Sequence, residues 1–330
     1  MLILTKSVLV MMIGFLSSLV FSMILIPVLR KVKANQRLSI YLEEAHIKKK
    51  GTPTMGGLIF IIPTIIITLF FIYMKKITLN YNLSIVIFTF LGYALIGFID
   101  DLLIIVRNNN KGLKESQKMF LQMVIATIFF YMFMAVGNEP LLWVHTIGLK
   151  LNIGWLYGIF ILLVLVSSSN AVNITDGLDG LATGLSIIAF LTFGLITWNT
   201  GWLDGYQSIA IFIFILIGTL LGFLVFNASP AKVFMGDTGS LSLGATLGAI
   251  AIITRHELLL VIIGIVFVLE TLSCVIQRYY YKMTKKRIFP MTPIHHTFEK
   301  MGWSEGDIVK LFWIIGLVGA MAAIVFGVWI

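Results

Sequence analysis

The sequence predicts an all-α polytopic integral membrane protein with about ten transmembrane helices, a single catalytic domain over residues 1–330, and an active site at the cytoplasmic face. Three observations lead there. Hydrophobic residues make up 59% of the chain and charged residues only 12%, where a soluble domain carries about 25% charged residues; mean hydropathy is +1.00. Apolar runs of membrane-crossing length recur from one end of the chain to the other. Lysine and arginine collect in alternate connections between those runs.

A span needs about 20 apolar residues. The candidates are 7–29, 55–74, 84–106, 119–137, 154–172, 181–198, 206–226, 240–254, 258–280 and 308–329. The first is too long for a signal-peptide core, lacks a small-x-small cleavage site and runs into Arg30, Lys31 and Lys33, so it reads as a retained span. An even number of crossings puts both termini on one side. Connections after the odd-numbered spans, with Lys310 at the mouth of the last, hold 19 of the 24 Lys and Arg. The other side holds Lys6, Lys75, Lys76, Lys150 and Arg255. The positive-inside rule therefore makes the first set cytoplasmic and places both termini outside. The same asymmetry, with attraction to anionic lipid, accounts for the net charge of +9 without a nucleic-acid partner. A single cysteine, Cys274, excludes a disulfide and a Cys-based metal site. No short repeat or low-complexity segment divides the chain.

The polar motifs fall on the predicted cytoplasmic side. Residues 170–180 crowd Asn170, Asn173, Asp176, Asp179 and two glycines between two apolar runs. Asn, Asp and Gly dominate ordinary turns, but a turn needs only one or two of them, and ionisable groups at membrane depth are usually functional. Asp100 and Asp101 lie inside an apolar run near a predicted helix end, where carboxylates oppose the helix dipole. Such a pair suits Mg²⁺, a hard cation that takes carboxylates and bridges to substrate phosphates. Asp237, Thr238 and Ser240 open the eighth run and are all capping types; a helix start beside a carboxylate is a place where Mg²⁺ and phosphate can meet. His295 and His296 follow Pro293 in a basic connection; adjacent histidines rarely ligate one zinc, so an acid–base or phosphate-contacting role is expected. Lys49, Lys111 and Lys118 are anion-binding candidates that topology alone also explains. Glu270, the one ionisable residue near the middle of a span, lines a groove, caps a break in its helix or pairs with another helix. The opposite connections carry Asn80, Glu139, His145, Asp204 and Glu257 with no clustering. Carboxylates for a divalent metal, helix starts and lysines for phosphates, and apolar walls for a lipid chain together suit phosphoryl transfer between a soluble nucleotide and a lipid phosphate.

With these motifs the chain resembles the phospho-N-acetylmuramoyl-pentapeptide transferases (translocase I), within the polyprenyl-phosphate N-acetylhexosamine-1-phosphate transferase family. The matching stretches are 51–57, Asp100-Asp101, 170–180, 230–241 and 293–296, in the family's order across almost the whole chain. The resemblance implies a multi-pass protein of the bacterial plasma membrane, commonly a homodimer. It implies transfer of phospho-N-acetylmuramoyl-pentapeptide from UDP-N-acetylmuramoyl-pentapeptide to undecaprenyl phosphate, with Mg²⁺ required and UMP released. By resemblance, Asp237 is the metal ligand, Asp100 the base or nucleophile with Asp101 beside it, and His295 and His296 the motif histidines. Asp176 and Asp179 resemble active-site carboxylates. Lys49, Thr54, Lys111, Lys118, Asn170, Asn173, Asn227, Phe234 and Gln277 resemble polar or nucleotide-contacting positions. The family usually has three consecutive histidines, and here the third position is Thr297. Two other readings compete: a relative that transfers N-acetylglucosamine-1-phosphate to the same lipid, and a secondary transporter. Transporters place ionisable groups near the bilayer midplane, and only Glu270 fits that pattern.

Overall fold

A computed structural model of the protein describes residues 2–32, 51–107, 112–144, 147–199 and 206–326. It is an all-α polytopic membrane protein. The elements run α1 (Leu2–Lys31), α2 (Gly57–Tyr73), α3 (Tyr81–Arg107), α4 (Glu115–Ala135), β1 (Leu141–Val144), β2 (Leu149–Asn152), α5 (Leu156–Thr175), α6 (Leu181–Asn199), α7 (Tyr206–Asn227), α8 (Gly236–Ile253), α9 (Leu259–Ile263), α10 (Ile265–Thr284), α11 (Ile294–Lys300) and α12 (Glu305–Ile324). Among the described residues, eight helices, α1, α3 to α8 and α12, are long and apolar enough to cross a membrane, and α2 is a shorter apolar helix. The run expected over 258–280 is interrupted at Gly264, which separates α9 from α10.

Helices dominate because each apolar run must satisfy its backbone internally once water is gone. α7 and α8 form the centre. Nearly every residue of α8 is buried, and its composition of Gly, Ala, Ser and Thr between aliphatics lets neighbouring backbones come close. At Gly97 of α3, a Cβ would lie 2.1 Å from the carbonyl oxygen of Asp237, so the α3–α8 contact is backbone against backbone. The hydroxyls of α8 are satisfied along the helix: Thr246 Oγ1 donates to the Ser242 carbonyl at 2.6 Å and Ser242 Oγ to Gly239 at 2.8 Å. Thr64 of α2 and Thr219 of α7 share a hydrogen bond of 2.7 Å. An apolar cavity of about 300 Å³ opens between α5, α8, α9 and α10, walled by Val164, Val172, Leu247, Val261 and Phe267.

Two features differ from the sequence reading. The connection before α5 holds an antiparallel hairpin, Leu141 opposite Asn152 through Val144 opposite Leu149, where the sequence reading has no strand. Its four-residue strands are too brief to stand out beside the long apolar runs. At the same end of the bundle, Glu257 does cluster. It is buried, accepts a hydrogen bond from the Tyr157 hydroxyl, and Arg255 donates to that hydroxyl and to the Leu141 carbonyl, both at 3.1 Å. Arg255 also stacks over Phe133, 4.8 Å from the ring centroid. Residues a hundred apart in the chain meet here, which no local pattern records. The 18 residues of α8 span about 27 Å, and that length separates this cluster from the polar groups at the start of α8.

Candidate active site

The polar motifs converge where α3, α5, α7 and α10 end and α4, α6, α8 and α12 begin. Asp100 and Asp101 are consecutive on α3, about 100° apart around the helix, and they face different partners. Asp101 turns to the start of α8. Its Oδ2 accepts from the Thr238 backbone N–H at 3.0 Å and the Thr238 hydroxyl at 2.6 Å, and its Oδ1 from the Asp237 N–H at 3.3 Å. The helix start is thus capped by a carboxylate from another helix, which satisfies two of its free N–H groups and complements its dipole. Sequence reasoning expected the start of α8 to draw phosphate; the N–H groups of Asp237 and Thr238 are taken by Asp101. Gly236, with φ +72°, makes this possible: a Cβ there would lie 2.6 Å from Asp101 Oδ2 and 2.7 Å from Thr54 Oγ1. The entry to α8 is tied to the 53–57 segment by backbone bonds, Phe234 N–H to the Pro53 carbonyl at 2.8 Å and Gly56 N–H to the Phe234 carbonyl at 2.8 Å. Thr54 and Phe234 therefore shape this wall.

Asp100 faces the other way. Its Oδ1 accepts the Leu113 N–H at 2.8 Å, and its Oδ2 lies 3.3 Å from the Lys118 ammonium. The same ammonium donates to Asp237 Oδ2. Asp237 Oδ1 accepts from Asn173 Nδ2 at 2.7 Å, and that amide also reaches Ser240 Oγ at 2.8 Å. Lys118 at the start of α4, Asp100 near the end of α3, Asn173 near the end of α5 and Asp237 at the start of α8 thus form one connected, half-buried group. Two carboxylates against one ammonium leave a formal charge of −1 on the three charged groups, which favours a further cation there.

The remaining sequence candidates are placed around this group. Asn170 Nδ2 donates to Gln122 Oε1 and to the Val166 carbonyl, both at 2.8 Å. Asn227 is buried, with Oδ1 accepting from Thr183 Oγ1 at 2.6 Å and Nδ2 donating to the Val233 carbonyl at 3.1 Å. Asp179 joins three elements: its N–H donates to Glu305 Oε1 at 2.7 Å and its Oδ2 accepts the Ala231 N–H at 2.9 Å. Asp176 ends α5. Gln277 Oε1 accepts the N–H groups of Ile288 and Phe289 at 3.0 and 2.9 Å and so folds the segment before α11. These bonds make Asn170, Asn227, Asp179 and Gln277 parts of the frame. His295 is fully buried against Glu270, and His296 is half-buried with Nδ1 2.5 Å from Glu299 Oε2. Of the three roles open to Glu270, pairing is the one observed, and the helix break lies at Gly264. Thr297, at the third histidine position, donates to the Met291 carbonyl at 2.5 Å. Lys49 and Lys111 lie outside the described residues.

Comparison with known proteins decides the family. Residues 82–255 match the glycosyl transferase family 4 profile, and residues 49–61 match phospho-N-acetylmuramoyl-pentapeptide-transferase signature 1. The chain is 46% identical over 323 residues to the phospho-N-acetylmuramoyl-pentapeptide-transferase of Geobacillus thermodenitrificans, covering 98% of each chain. It is 46% identical over 317 residues to that of Bacillus subtilis, 96% of each, and 44% identical over 321 residues to that of Shouchella clausii, 97% of each.

The chain belongs to the phospho-N-acetylmuramoyl-pentapeptide transferase family.

The family 4 match covers Asp100, Asp101, Lys118, Asn173 and Asp237, the whole connected group and its cap. The signature covers the segment that ties down the start of α8. Sequence reasoning missed Gln122 and Glu305 as partners of site residues, and read Ser240 only as a capping type. Ser240 carried a signal, as a polar residue one turn after Gly236; Gln122 and Glu305 looked like ordinary helix-end polar residues. Among the described residues no three His, Cys, Asp or Glu converge as a metal set. The residues present fit Mg²⁺ of the kind held by one or two carboxylates and completed by water and substrate phosphates, because Asp100 and Asp237 already flank a single cation.

Proposed function

We propose that the chain transfers phospho-N-acetylmuramoyl-pentapeptide from its UDP carrier to undecaprenyl phosphate at a bacterial plasma membrane. An oxygen of the lipid phosphate attacks the sugar-bearing phosphorus of the donor. The phosphoanhydride P–O bond breaks, and UMP leaves with the bridging oxygen. The observation that carries this reading is the Asp100–Lys118–Asp237–Asn173 group at the end of an apolar bundle, in a chain whose relatives carry that activity in their names. Asp100 and Asp237 are the residues to hold Mg²⁺, which supplies charge neutralisation to the phosphates when bound. Lys118 neutralises anionic oxygen beside them, and Asn173 holds the Asp237 carboxylate in one orientation. Such positioning and charge stabilisation make up most of phosphoryl-transfer catalysis. The apolar cavity between α5, α8, α9 and α10 includes Val172, next to Asn173, and suits a hydrocarbon chain whose phosphate reaches the group. The homodimer stays an expectation of the resemblance.

Purified chain with Mg²⁺ and undecaprenyl phosphate tests the reading, with UDP-N-acetylmuramoyl-pentapeptide and UDP-N-acetylglucosamine offered separately. The first donor is expected to release UMP. Release from the second donor alone would make it the N-acetylglucosamine-1-phosphate relative, and release of UDP would mean that the sugar C1–O bond breaks instead.

A further inference from the structure

Glu270 and His295 are both fully buried, the first inside α10 and the second in the first turn of α11. Glu270 Oε2 faces His295 Nδ1 at 3.0 Å and the His295 backbone N–H at 3.5 Å. Glu270 Oε1 and His295 Nε2 are buried with no hydrogen-bond partner among the described residues. The ring presses Nε2 against the 176–179 turn: a Cβ on Gly177 would lie 2.4 Å from it. A routine tie between two helices needs no ionisable pair, since apolar residues of similar volume usually hold as well or better. This pair instead places an unsatisfied nitrogen on the turn that carries Asp176 and Asp179. His296 packs on His295 with ring centroids 4.2 Å apart, and it alone of the two keeps some exposure, 13% of its side chain.

We propose that Glu270 is a positioning residue for the transfer reaction. Glu270 fixes His295 through Nδ1, and His295 braces Gly177, so the two together set the turn between α5 and α6. His295 acts through that turn, and His296 is the imidazole that faces the open site. The 176–179 turn in turn joins Glu305 of α12 and Ala231 before α8 through Asp179, so its setting reaches the segment that leads to Asp237. The ligand concerned is the nucleotide donor, because the turn leads through Asp179 and Ala231 to the segment that enters α8 at Asp237. This assignment rests on the function proposed above.

The test is a set of variants in purified, membrane-reconstituted protein: Glu270→Leu, Glu270→Gln, His295→Ala, and Glu270→Leu with His295→Ala. Wild-type UMP release is measured first, and its absence would refute the proposed function without bearing on the brace. Given wild-type turnover, Glu270→Leu is expected to lower kcat/KM for the UDP donor by about 10–100-fold, as loss of an orienting partner of a histidine does at other sites. Glu270→Gln keeps an acceptor for Nδ1–H and is expected to recover to within about threefold of wild type. Adding Glu270→Leu to His295→Ala is expected to cost nothing more, because both act through one contact. KM for the lipid acceptor should not move. Additive losses in the double variant, or a shift in acceptor KM with donor KM unchanged, would overturn the proposal. If Glu270→Leu does not fold, the Glu270→Gln variant decides: a loss as large as that of His295→Ala, in protein with wild-type melting, would also overturn it.

Discussion

Asp101 on α3 receives both the backbone N–H and the hydroxyl of Thr238 on α8, at 3.0 and 2.6 Å. Its neighbour Asp100 instead faces Lys118 at 3.3 Å. One carboxylate of the pair builds the site and the other belongs to it. Asp101→Ala leaves the donors of Asp237 and Thr238 without their acceptor, at about 1–3 kcal/mol for each buried group left unpaired. The expected outcome is a clear drop in melting temperature with activity falling alongside it. Wild-type melting in Asp101→Ala with turnover abolished would show that Asp101 works in the chemistry and not as a cap.

Lys118 is the only cation among the described residues that bridges Asp100 and Asp237. Lys118→Gln leaves the carboxylates facing each other without their ammonium. UMP release should fall by about 10²–10³, on the scale of losing one preorganised stabilising group. Turnover within a few fold of wild type at saturating Mg²⁺ would remove Lys118 from the mechanism.

Asn170 resembles a substrate-contacting position, and its amide nitrogen donates to Gln122 and Val166. Asn170→Ala is therefore expected to lower stability by about 1–2 kcal/mol while kcat stays within about threefold. A large loss of turnover at unchanged stability would restore Asn170 to the substrate.

At the opposite end, burial pushes the Glu257 carboxyl up to about 7 from 4.5. A group raised in this way favours the folded state while it is protonated. That contribution is full below about pH 4.5 and is lost as pH rises through about 7. Melting curves of wild type and Glu257→Gln should therefore diverge in favour of the Gln variant between about pH 5 and 8, and run parallel above about pH 8. A constant difference across that range would mean that Glu257 does not titrate there.

Much of this was legible in the chain, for physical reasons that also mark where it stopped. The helices followed from the need for long apolar runs to satisfy their own backbone, and each of the ten runs falls on one or, at 258–280, two of the observed helices. Asp100, Asn173 and Asp237 stood out because polar groups in or beside such runs need a reason to be there, whereas Lys118 read equally well as a lysine placed by topology. Which oxygen faces which donor depends on how α3 turns against α8 around Gly97, and no local pattern encodes that rotation. Hence Asp101 read only as the neighbour of Asp100, and its place as the cap of α8 was not legible. Hence also Glu257, Arg255 and Tyr157 looked scattered: their sequence separation of up to a hundred residues hides a contact made only when α5 meets the end of α8.

In the proposed reaction Asp237 and its partners stabilise charge during phosphoryl transfer. UMP release by Asp237→Asn, measured at limiting and at saturating Mg²⁺ beside its melting curve, tests it most directly. Asn keeps the size of the side chain and an oxygen for the Asn173 amide, and the cap of α8 comes from Asp101, so melting should match wild type. Turnover should fall by at least about 10² at both Mg²⁺ concentrations. Near-normal turnover at limiting Mg²⁺ would contradict the account and take Asp237 out of the metal assignment, leaving Asp100.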